Sequence, residues 1–403
     1  MLFDCSDIDL LRLTGFLKNL PIGQEEKYSL RLLTPSVLGP LQEYGYLGLT
    51  RNGLSYSLRP AGYDLLRSLG FDYPQDKRQP SHLPELHRRF EGASVLLTFY
   101  RAGMEVFSPQ LSGLHQPLAY VHGSVIRRDP CMANTRLFGG CRFSGIGRVE
   151  NTAYAVHFID ENRMCYSTEL RLLQNAIHPY SCHAGLIFAR HSYLEAARLL
   201  ASSPPEEKAR NDSVTYREAY EKTSLPVHLL ECSDAGAFQL RIMALDGYRL
   251  KMARLLLGKG YQPPDPRIPD SDGLLSDGKA RLPFVAAVDI DLKRIDRTYR
   301  AAREAGYSKL ALGALEPQAK ALQLLYQVTG KAVVYSVAIP DLLKSLRDSG
   351  QQELANALRL YEPPPAAYIT QEGGALHASV VPSHRKAGEP VRPEIWPLDG
   401  PEG

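Results

Sequence analysis

The spacing of apolar residues changes twice between residues 33 and 66. Val37, Leu38 and Leu41 follow one another at helical spacing, and after residue 45 the period shortens to the two-residue alternation of a strand. Helical spacing returns after Pro60. This stretch therefore predicts a helix, a β-hairpin and a second helix in close succession.

Local signals mark where these elements begin and end. Thr34 can cap the first helix, Pro35 suits its first turn, and Gly45 can end it. Pro40 lies inside this helix and removes one of its hydrogen bonds, so the helix is expected to be short or kinked. Asn-Gly at residues 52–53 predicts the hairpin turn, because both residue types tolerate positive φ.

Helix, two-stranded hairpin and helix follow one another in the order of a winged-helix module. Residues 8–20 and 24–32 have the spacing of two preceding helices. We therefore assign residues 1–80 to a winged-helix DNA-binding domain, in which the hairpin is the wing.

Two further α/β segments are predicted after a polar, proline-marked linker. Residues 85–202 have the pattern of a helix, three strands, a helix, a strand and a helix, with a strand pair at 142–148 and 152–159. Residues 214–350 alternate strands with helices, which is typical of parallel β–α units. The fold class expected is thus mixed α/β.

Individual elements of the third segment are less regular. Strands are predicted at 226–231, 237–243 and 282–290, and a helix at 292–305.

The proline-rich residues 362–403 carry little hydrophobic pattern and are expected to be disordered.

The composition adds few constraints. The chain has 403 residues, of which 44% are hydrophobic and 23% charged, as in ordinary globular proteins. A net charge of +3 does not identify a nucleic-acid-binding protein. The six cysteines form no CxxC pair, and neither a signal peptide nor a membrane-spanning run is found, so a cytoplasmic protein is expected.

The winged helix provides the first candidate site. The candidate DNA contacts are Arg31, Arg51 and Arg59 for phosphates, and Ser36 and Gln42 for the groove. Residues 35–45 contain no Lys or Arg but do contain an acid, Glu43. The alternative is therefore that the winged helix serves protein interaction or dimerisation, with a homodimer as the assembly.

The middle segment carries more cations than its neighbours. Arg127 and Arg128 are the first of them, followed by Arg136, Arg142 and Arg148. They are candidates to contact the phosphates of DNA, and an ordinary solvated surface is the alternative.

Acids in the third segment provide the candidate metal site. Asp289 and Asp291 end a buried-type strand, and Glu231 ends another. Strand ends of parallel α/β units line ligand crevices, where carboxylates can hold Mg²⁺. This set is similar to the acid set of Toprim domains in primases and topoisomerases. The alternative is that Asp291 caps the following helix.

The order of parts resembles the replication-relaxation family of plasmids and integrative elements. The resemblance covers residues 8 to about 200 and rests on YLGLTRNGLSYSLRPAGYDLL, on the helix at 87–103, and on RFSGIGR, AYAVHFI and TELRLL. It implies a winged helix joined to a restriction-endonuclease-like core, with double-stranded DNA as the partner.

The core departs from a competent nuclease at the positions that would hold Mg²⁺. Ser144 stands where an aspartate is expected, and Val156-His157-Phe158 stands where an acid and a lysine are expected. The favoured hypothesis is a duplex-DNA-binding protein without chemistry or cofactor of its own, acting in replication, transfer or regulation of a mobile element. A Mg²⁺-dependent nuclease or primase-like enzyme using Glu231, Asp289 and Asp291 is the alternative.

Overall fold

The computed structural model describes residues 3–73, 83–128, 143–161, 163–202, 213–276, 281–363, 367–372 and 375–380. Within these residues the strands are β1 Phe3–Asp4, β2 Leu20–Pro21, β3 Leu47–Leu49, β4 Ser55–Leu58, β5 Leu118–His122, β6 Gly145–Val149, β7 Thr152–Phe158, β8 Met164–Cys165, β9 His183–Arg190, β10 Ser213–Val214, β11 Val227–Glu231, β12 Gly273–Ser276, β13 Arg281–Ala286, β14 Leu310–Leu315, β15 Ala332–Val337, β16 Ala367–Glu372 and β17 Ala375–Val380.

The α-helices of the same residues are α1 Cys5–Leu17, α2 Pro35–Glu43, α3 Pro60–Ser68, α4 Leu83–Arg101, α5 Gly123–Ile126, α6 Tyr166–Ile177, α7 Tyr193–Ala201, α8 Tyr216–Lys222, α9 Asp234–Met243, α10 Tyr248–Leu257, α11 Leu292–Glu304, α12 Glu316–Leu322, α13 Ile339–Asp348 and α14 Gln352–Ala357. The mixed α/β class expected from the sequence is confirmed. The described helices include none with both the length and the apolarity needed to span a bilayer.

The chain divides into two compact units, residues 1–93 with 361–403, and residues 94–360. In the first unit, α2, the β3–β4 hairpin and α3 follow in the predicted order. Strand β4 pairs with β3 on one side and with β2 on the other, both antiparallel. The hairpin is thus one part of a three-stranded sheet.

Two local predictions for the first unit are wrong. The helix predicted at 24–32 is replaced by two separate 3₁₀ turns, Gln24–Glu26 and Arg31–Leu33. Helix α1 begins earlier than predicted, because Asp4 and Asp7 form a reciprocal capping box. The Asp7 side chain accepts from the Asp4 N–H at 2.8 Å, and the Asp4 side chain accepts from the Asp7 N–H at 3.0 Å.

The C-terminal residues also differ from the prediction. Residues 367–372 and 375–380, predicted as part of a disordered tail, form the antiparallel pair β16–β17, and β16 pairs with β1. Their sequences, AYITQE and ALHASV, are rich in strand-forming residues around Gly-Gly. The surrounding prolines dominated the sequence pattern and concealed this hairpin. Residues 381–403 lie outside the described residues.

The second unit contains a five-stranded sheet in the order β11–β9–β7–β6–β5. Strands β5, β6 and β7 form an antiparallel meander, and β9 and β11 continue the sheet in parallel. The predicted pair at 142–148 and 152–159 corresponds to β6 and β7, joined at Glu150, whose φ is +52°. The predicted helix, strand pair, helix, strand and helix correspond to α4, β6–β7, α6, β9 and α7, whereas the first strand of this segment is β5 at Leu118–His122, followed by the short helix α5.

Strand β11 changes the domain boundary. It was predicted in the separate segment 214–350, but it pairs along its length with β9 of the segment 85–202. Both segments therefore belong to one compact unit. A polar, proline-containing connection was mistaken for a domain boundary because strand pairing across it cannot be inferred from local pattern.

A second sheet in this unit has the order β12–β13–β14–β15, with β13, β14 and β15 parallel. Residues 237–243, predicted as a strand, belong to helix α9, which Ser233 caps by accepting from the Ala235 N–H at 3.1 Å. Seven of the ten residues of α9 are buried, and a short apolar run without polar alternation does not distinguish strand from helix.

Candidate nucleic-acid interface

Helix α2 begins at Pro35, as predicted, and continues through Pro40 to Glu43. Pro40 therefore does not break it. Thr34 occupies the N-cap position, but its hydroxyl donates to the Arg31 carbonyl at 2.6 Å instead of accepting from the helix. The same hydroxyl lies 2.8 Å from that of Ser36.

One side of α2 packs inward through Val37, Leu38 and Leu41, which are buried. The outward side of α2 carries few bulky side chains. Pro35, Ser36 and the terminal Glu43 are exposed on it, and Gly39, Pro40 and Gln42 are half-buried. Apart from its chain neighbours and the backbone of α2 itself, no atom of the described residues lies within 4 Å of the position that a Cβ on Gly39 would occupy. This face can approach a surface closely, and Glu43 is its only formal charge.

The wing has a well-defined turn. The Thr50 N–H donates to the Ser55 carbonyl at 2.9 Å, and the Asn52 side chain accepts from the Thr50 hydroxyl at 2.6 Å and from the Leu54 N–H at 3.1 Å. The turn lies at the predicted residues 51–53, where the Gly53 N–H donates to the Thr50 carbonyl at 2.9 Å, but only Gly53, with a φ of +68°, and not Asn52 adopts positive φ. Arg51 is exposed at its tip.

The other two predicted phosphate contacts have intramolecular partners. Arg59 extends along β3, where it donates to the Leu49 carbonyl at 3.1 Å, and a Cβ on Gly48 would lie 2.0 Å from its Nε. Arg31 forms an ion pair with Asp4 at 2.7 Å, with its side chain half-exposed. Each guanidinium has five donors, so one such contact leaves others for a phosphate.

The predicted cations of the middle segment have different environments. Arg127 and Arg128 follow α5 and are exposed in the second unit. Arg148 is turned towards the protein, where it donates to the carbonyls of Leu114 at 2.6 Å and Glu150 at 2.8 Å, so it stabilises the fold at this point. Arg136 and Arg142 lie outside the described residues.

Four large apolar side chains, in the wing, directly after β2 and at the end of α2, are exposed, which the sequence pattern does not show. Among the described residues of the first unit, Ile22, Tyr44, Leu49 and Leu54 are 43%, 61%, 46% and 41% exposed. The Ile22 N–H donates to the Leu54 carbonyl at 3.2 Å, which brings two of them together. The alternation of apolar and polar residues along a short strand does not show which face of the strand remains exposed to solvent.

The acids proposed as a metal site do not assemble. Asp289 is fully buried and accepts from the Tyr248 hydroxyl at 2.5 Å and from Arg249 Nε at 3.1 Å. Burial alone would raise the pKa of Asp289, but Arg294 and Arg249 outweigh it and hold that pKa below its ordinary value. Arginines, and not the metal ion that the sequence suggested, thus supply the positive charge beside Asp289.

Asp291 caps a helix, the alternative that the sequence left open. Its side chain accepts from the Arg294 N–H at 3.1 Å at the start of α11, and it forms an ion pair with Arg249 at 3.3 Å. Glu231 has other partners, the Tyr193 N–H at 3.2 Å and the Ser233 hydroxyl at 2.7 Å, and burial raises its pKa.

The described residues contain no group of three or more His, Cys, Asp or Glu side chains placed to hold a metal ion. The proposed Mg²⁺ site of Glu231, Asp289 and Asp291 is therefore wrong. Glu231 accepts hydrogen bonds from Tyr193 and Ser233, whereas Asp289 and Asp291 form ion pairs with Arg249 in an arginine network.

The arginines of that network are not apparent as partners of these acids from the sequence. Arg294 is 1% exposed and binds Asp272 at 2.8 Å and the Ala286 carbonyl at 2.7 Å. The strand predicted at 282–290 ends at Ala286, and a 3₁₀ turn follows before Ile290, whose φ is +43°. The sequence does contain one signal for this network. Arg294 lies three residues after the capping Asp291 and occupies an inward position of an amphipathic helix.

A scan of protein-family models, a search of curated proteins and a search of solved structures each gave no match to this chain.

Proposed function

We propose that this protein binds double-stranded DNA through residues 1–80, with α2 in the major groove and the wing on the phosphate backbone. The observation that carries the proposal is the exposed Arg51 on a hydrogen-bonded turn, next to α2, whose outward face carries few bulky side chains. The setting we propose is cytoplasmic, in the replication, transfer or regulation of a plasmid or integrative element.

The outward face of α2 fits a groove by size. The major groove of B-DNA is about 12 Å wide and admits one helix. Pro35 and Ser36 have short side chains and Gly39 has none, so that face of the helix protrudes little. Ser36 and Gln42 can exchange hydrogen bonds with base edges, whereas Glu43 can accept from a cytosine amino group but is repelled by phosphates.

The charge of the module limits the affinity we expect from it. Three arginines, at positions 31, 51 and 59, are available for phosphates, and each phosphate contact contributes about 0.9 to the dependence of log K on log salt. Three contacts give a slope of about 2.7 in magnitude, or a loss of affinity of roughly 40-fold between 50 and 200 mM salt.

Fluorescence anisotropy of a labelled mixed-sequence duplex tests the proposal on the full chain. We expect binding at low salt, weakened by Arg51→Ala and little changed by Arg67→Ala. Arg67 is a matched control because it is an exposed arginine of the same unit, on α3, in an ion pair with Asp64 at 3.1 Å. Absence of binding at low salt, or equal effects of the two substitutions, contradicts the proposal.

A second candidate function is association with a second copy of the chain. The observation that favours it is the apolar set Ile22, Tyr44, Leu49 and Leu54, because exposed apolar groups that cluster often mark interfaces. Within the described residues β3 has β4 as its only strand partner, so its other edge can pair in an isologous dimer.

Sedimentation velocity distinguishes the two candidates. A dimer that Leu49→Ser dissociates, without loss of duplex binding, assigns the apolar set to self-association. A monomer at all concentrations removes the second candidate and leaves DNA binding untouched.

A further inference from the structure

Helix α11 carries charge that neither the winged helix nor the arginine network uses. Its sequence, LKRIDRTYRAARE, has five cations and two acids. Arg297, Arg300 and Arg303 are exposed and Lys293 is half-buried. These four cations are spaced by four, three and three residues, which places them along one side of a helix.

The inward side of α11 is firmly attached to the second unit. Leu292, Ile295 and Ala302 are buried, and Asp291 caps the first turn. Arg294 is buried beside them and bound to the sheet region through Asp272 and the Ala286 carbonyl, as described above. The outward cations are therefore presented on a helix whose position is fixed.

The outward cations influence one another electrostatically. Lys293 lies 4.4 Å from the centre of the Tyr220 ring. Burial lowers the pKa of Lys293, Asp296 and Glu221 raise it, and Arg300 and Arg297 lower it. Lys293 thus lies within the electrostatic influence of acids as well as of the other cations of the row.

The nearby acids pair with only part of the row: among the described residues, Arg300 and Arg303 have no carboxylate within ion-pair distance. Arg297 pairs with Asp270 at 2.9 Å, and Asp296 accepts from the Tyr220 hydroxyl. Glu304 ends the helix. The Nε of Arg300 reaches only the Asp296 main-chain carbonyl, at 3.4 Å.

We propose that this row of cations on α11, from Lys293 to Arg303, is a second nucleic-acid contact that binds the phosphate backbone of duplex DNA. Ten residues of helix span about 15 Å, slightly more than the roughly 12 Å width of the major groove, so the ends of the row reach phosphates on both sides. Three of the four cations are arginines, and the planar guanidinium fork matches phosphate oxygens.

The inference rests on the proposed function in naming DNA as the ligand, but it depends on residues in the other unit. It is tested with the full chain, a labelled 20-base-pair duplex and the corresponding single strand, titrated at several salt concentrations. The test variant is Arg300→Ala/Arg303→Ala. The control is Lys344→Ala/Arg347→Ala, which removes two exposed cations from α13.

Helix α13 is a suitable control surface because it packs in the apolar core around Phe284 and Leu346, a core that contains no residue of α11. We expect the test variant to reduce the salt slope by about 1.8, as two lost phosphate contacts require, and the control to leave it unchanged. Equal slopes for wild type and the test variant overturn the inference.

The outcomes separate this inference from the proposed function. Sensitivity to Arg51→Ala alone supports the winged helix and overturns the role of α11. Sensitivity to Arg300→Ala/Arg303→Ala alone does the reverse, and no binding to either oligonucleotide overturns both. Displacement of the duplex by polyglutamate at equal charge concentration identifies a general anion surface and overturns the assignment to nucleic acid.

Discussion

Replacing Arg294 by methionine tests the buried arginine network most sharply. The change keeps most of the side-chain length and removes the charge. It leaves Asp272 without its ion pair at 2.8 Å, the Ala286 carbonyl without its donor, and Asp289 without one of two nearby arginines. Arg294 is 1% exposed, so water cannot replace these partners.

Breaking a buried ion pair from one side typically costs about 3–5 kcal/mol, because the remaining charge stays in a poorly solvated site. Here part of that cost is offset. Asp289 retains Arg249 and Tyr248, and Asp272 still accepts from the Ala286 N–H at 2.8 Å. We therefore expect a loss of about 3 kcal/mol, a large share of the 5–15 kcal/mol typical of folded proteins.

Arg267→Met is the matched control. Arg267 pairs with Asp265 at 2.6 Å, a distance close to that of the Arg294 pair, but its side chain is 64% exposed. Solvent reaches Arg267 although Asp265 is only 10% exposed, so we expect a clearly smaller loss in the free energy of unfolding than for Arg294→Met. Equilibrium unfolding in urea, followed by far-UV circular dichroism, measures both variants. Equal midpoints for Arg294→Met and Arg267→Met refute the argument from burial.

Three further outcomes are expected from the structure. Burial lowers the pKa of His157 from 6.5 to about 3, outweighing the Glu169 carboxylate 3.3 Å from its Nδ1, so the unfolded state binds the extra proton between these values, and the stabilisation present above pH 6.5 is lost as the pH falls. His157→Leu should flatten the dependence of the unfolding free energy on pH in that window, and an unchanged slope contradicts a buried neutral imidazole. Gly39→Ala should raise the unfolding free energy of the first unit by about 0.5–1 kcal/mol, because its Cβ meets no atom in a helix. Gly62→Ala should lower the thermal midpoint instead, since its Cβ would lie 2.4 Å from the Tyr46 carbonyl oxygen; stability equal to wild type would refute that close approach.

The elements predicted best are those fixed by local signals. The β3–β4 hairpin, α2 and α3 depend on a change of period, a proline at each helix start and glycines at 45, 53 and 70, all with positive φ. These features act within a few residues, so the sequence displays them directly.

The errors arise where distant pairing decides the structure. Strand β11 joins β9 across a connection that resembles a domain linker, and β16 pairs with β1 from the opposite end of the chain. Each pairing brings together residues far apart in sequence, which local periodicity does not encode. Helix α9 does not show a helical pattern because Arg241 is the only half-buried residue among 237–243 and the others are buried.

The candidate site was predicted unevenly for the same reason. The sequence identified Asp289 and Asp291 as the notable acids of their segment and left open a metal site or a helix cap; Asp291 is the cap, and the arginine partners of both acids were not predicted. The partner Arg249 lies forty residues earlier, and the fold alone brings it within 3.1 Å of Asp289. Exposed Arg51, by contrast, follows directly from the hairpin that presents it.

The most direct test of the central claim is the salt dependence of duplex binding by wild type and Arg51→Ala, measured side by side by fluorescence anisotropy. We predict that wild type binds with log K falling linearly as log salt rises, and that Arg51→Ala lowers the magnitude of the slope by about 0.9, the value of one phosphate contact. Identical slopes, or no binding by wild type at low salt, would contradict a winged helix that contacts DNA through its wing.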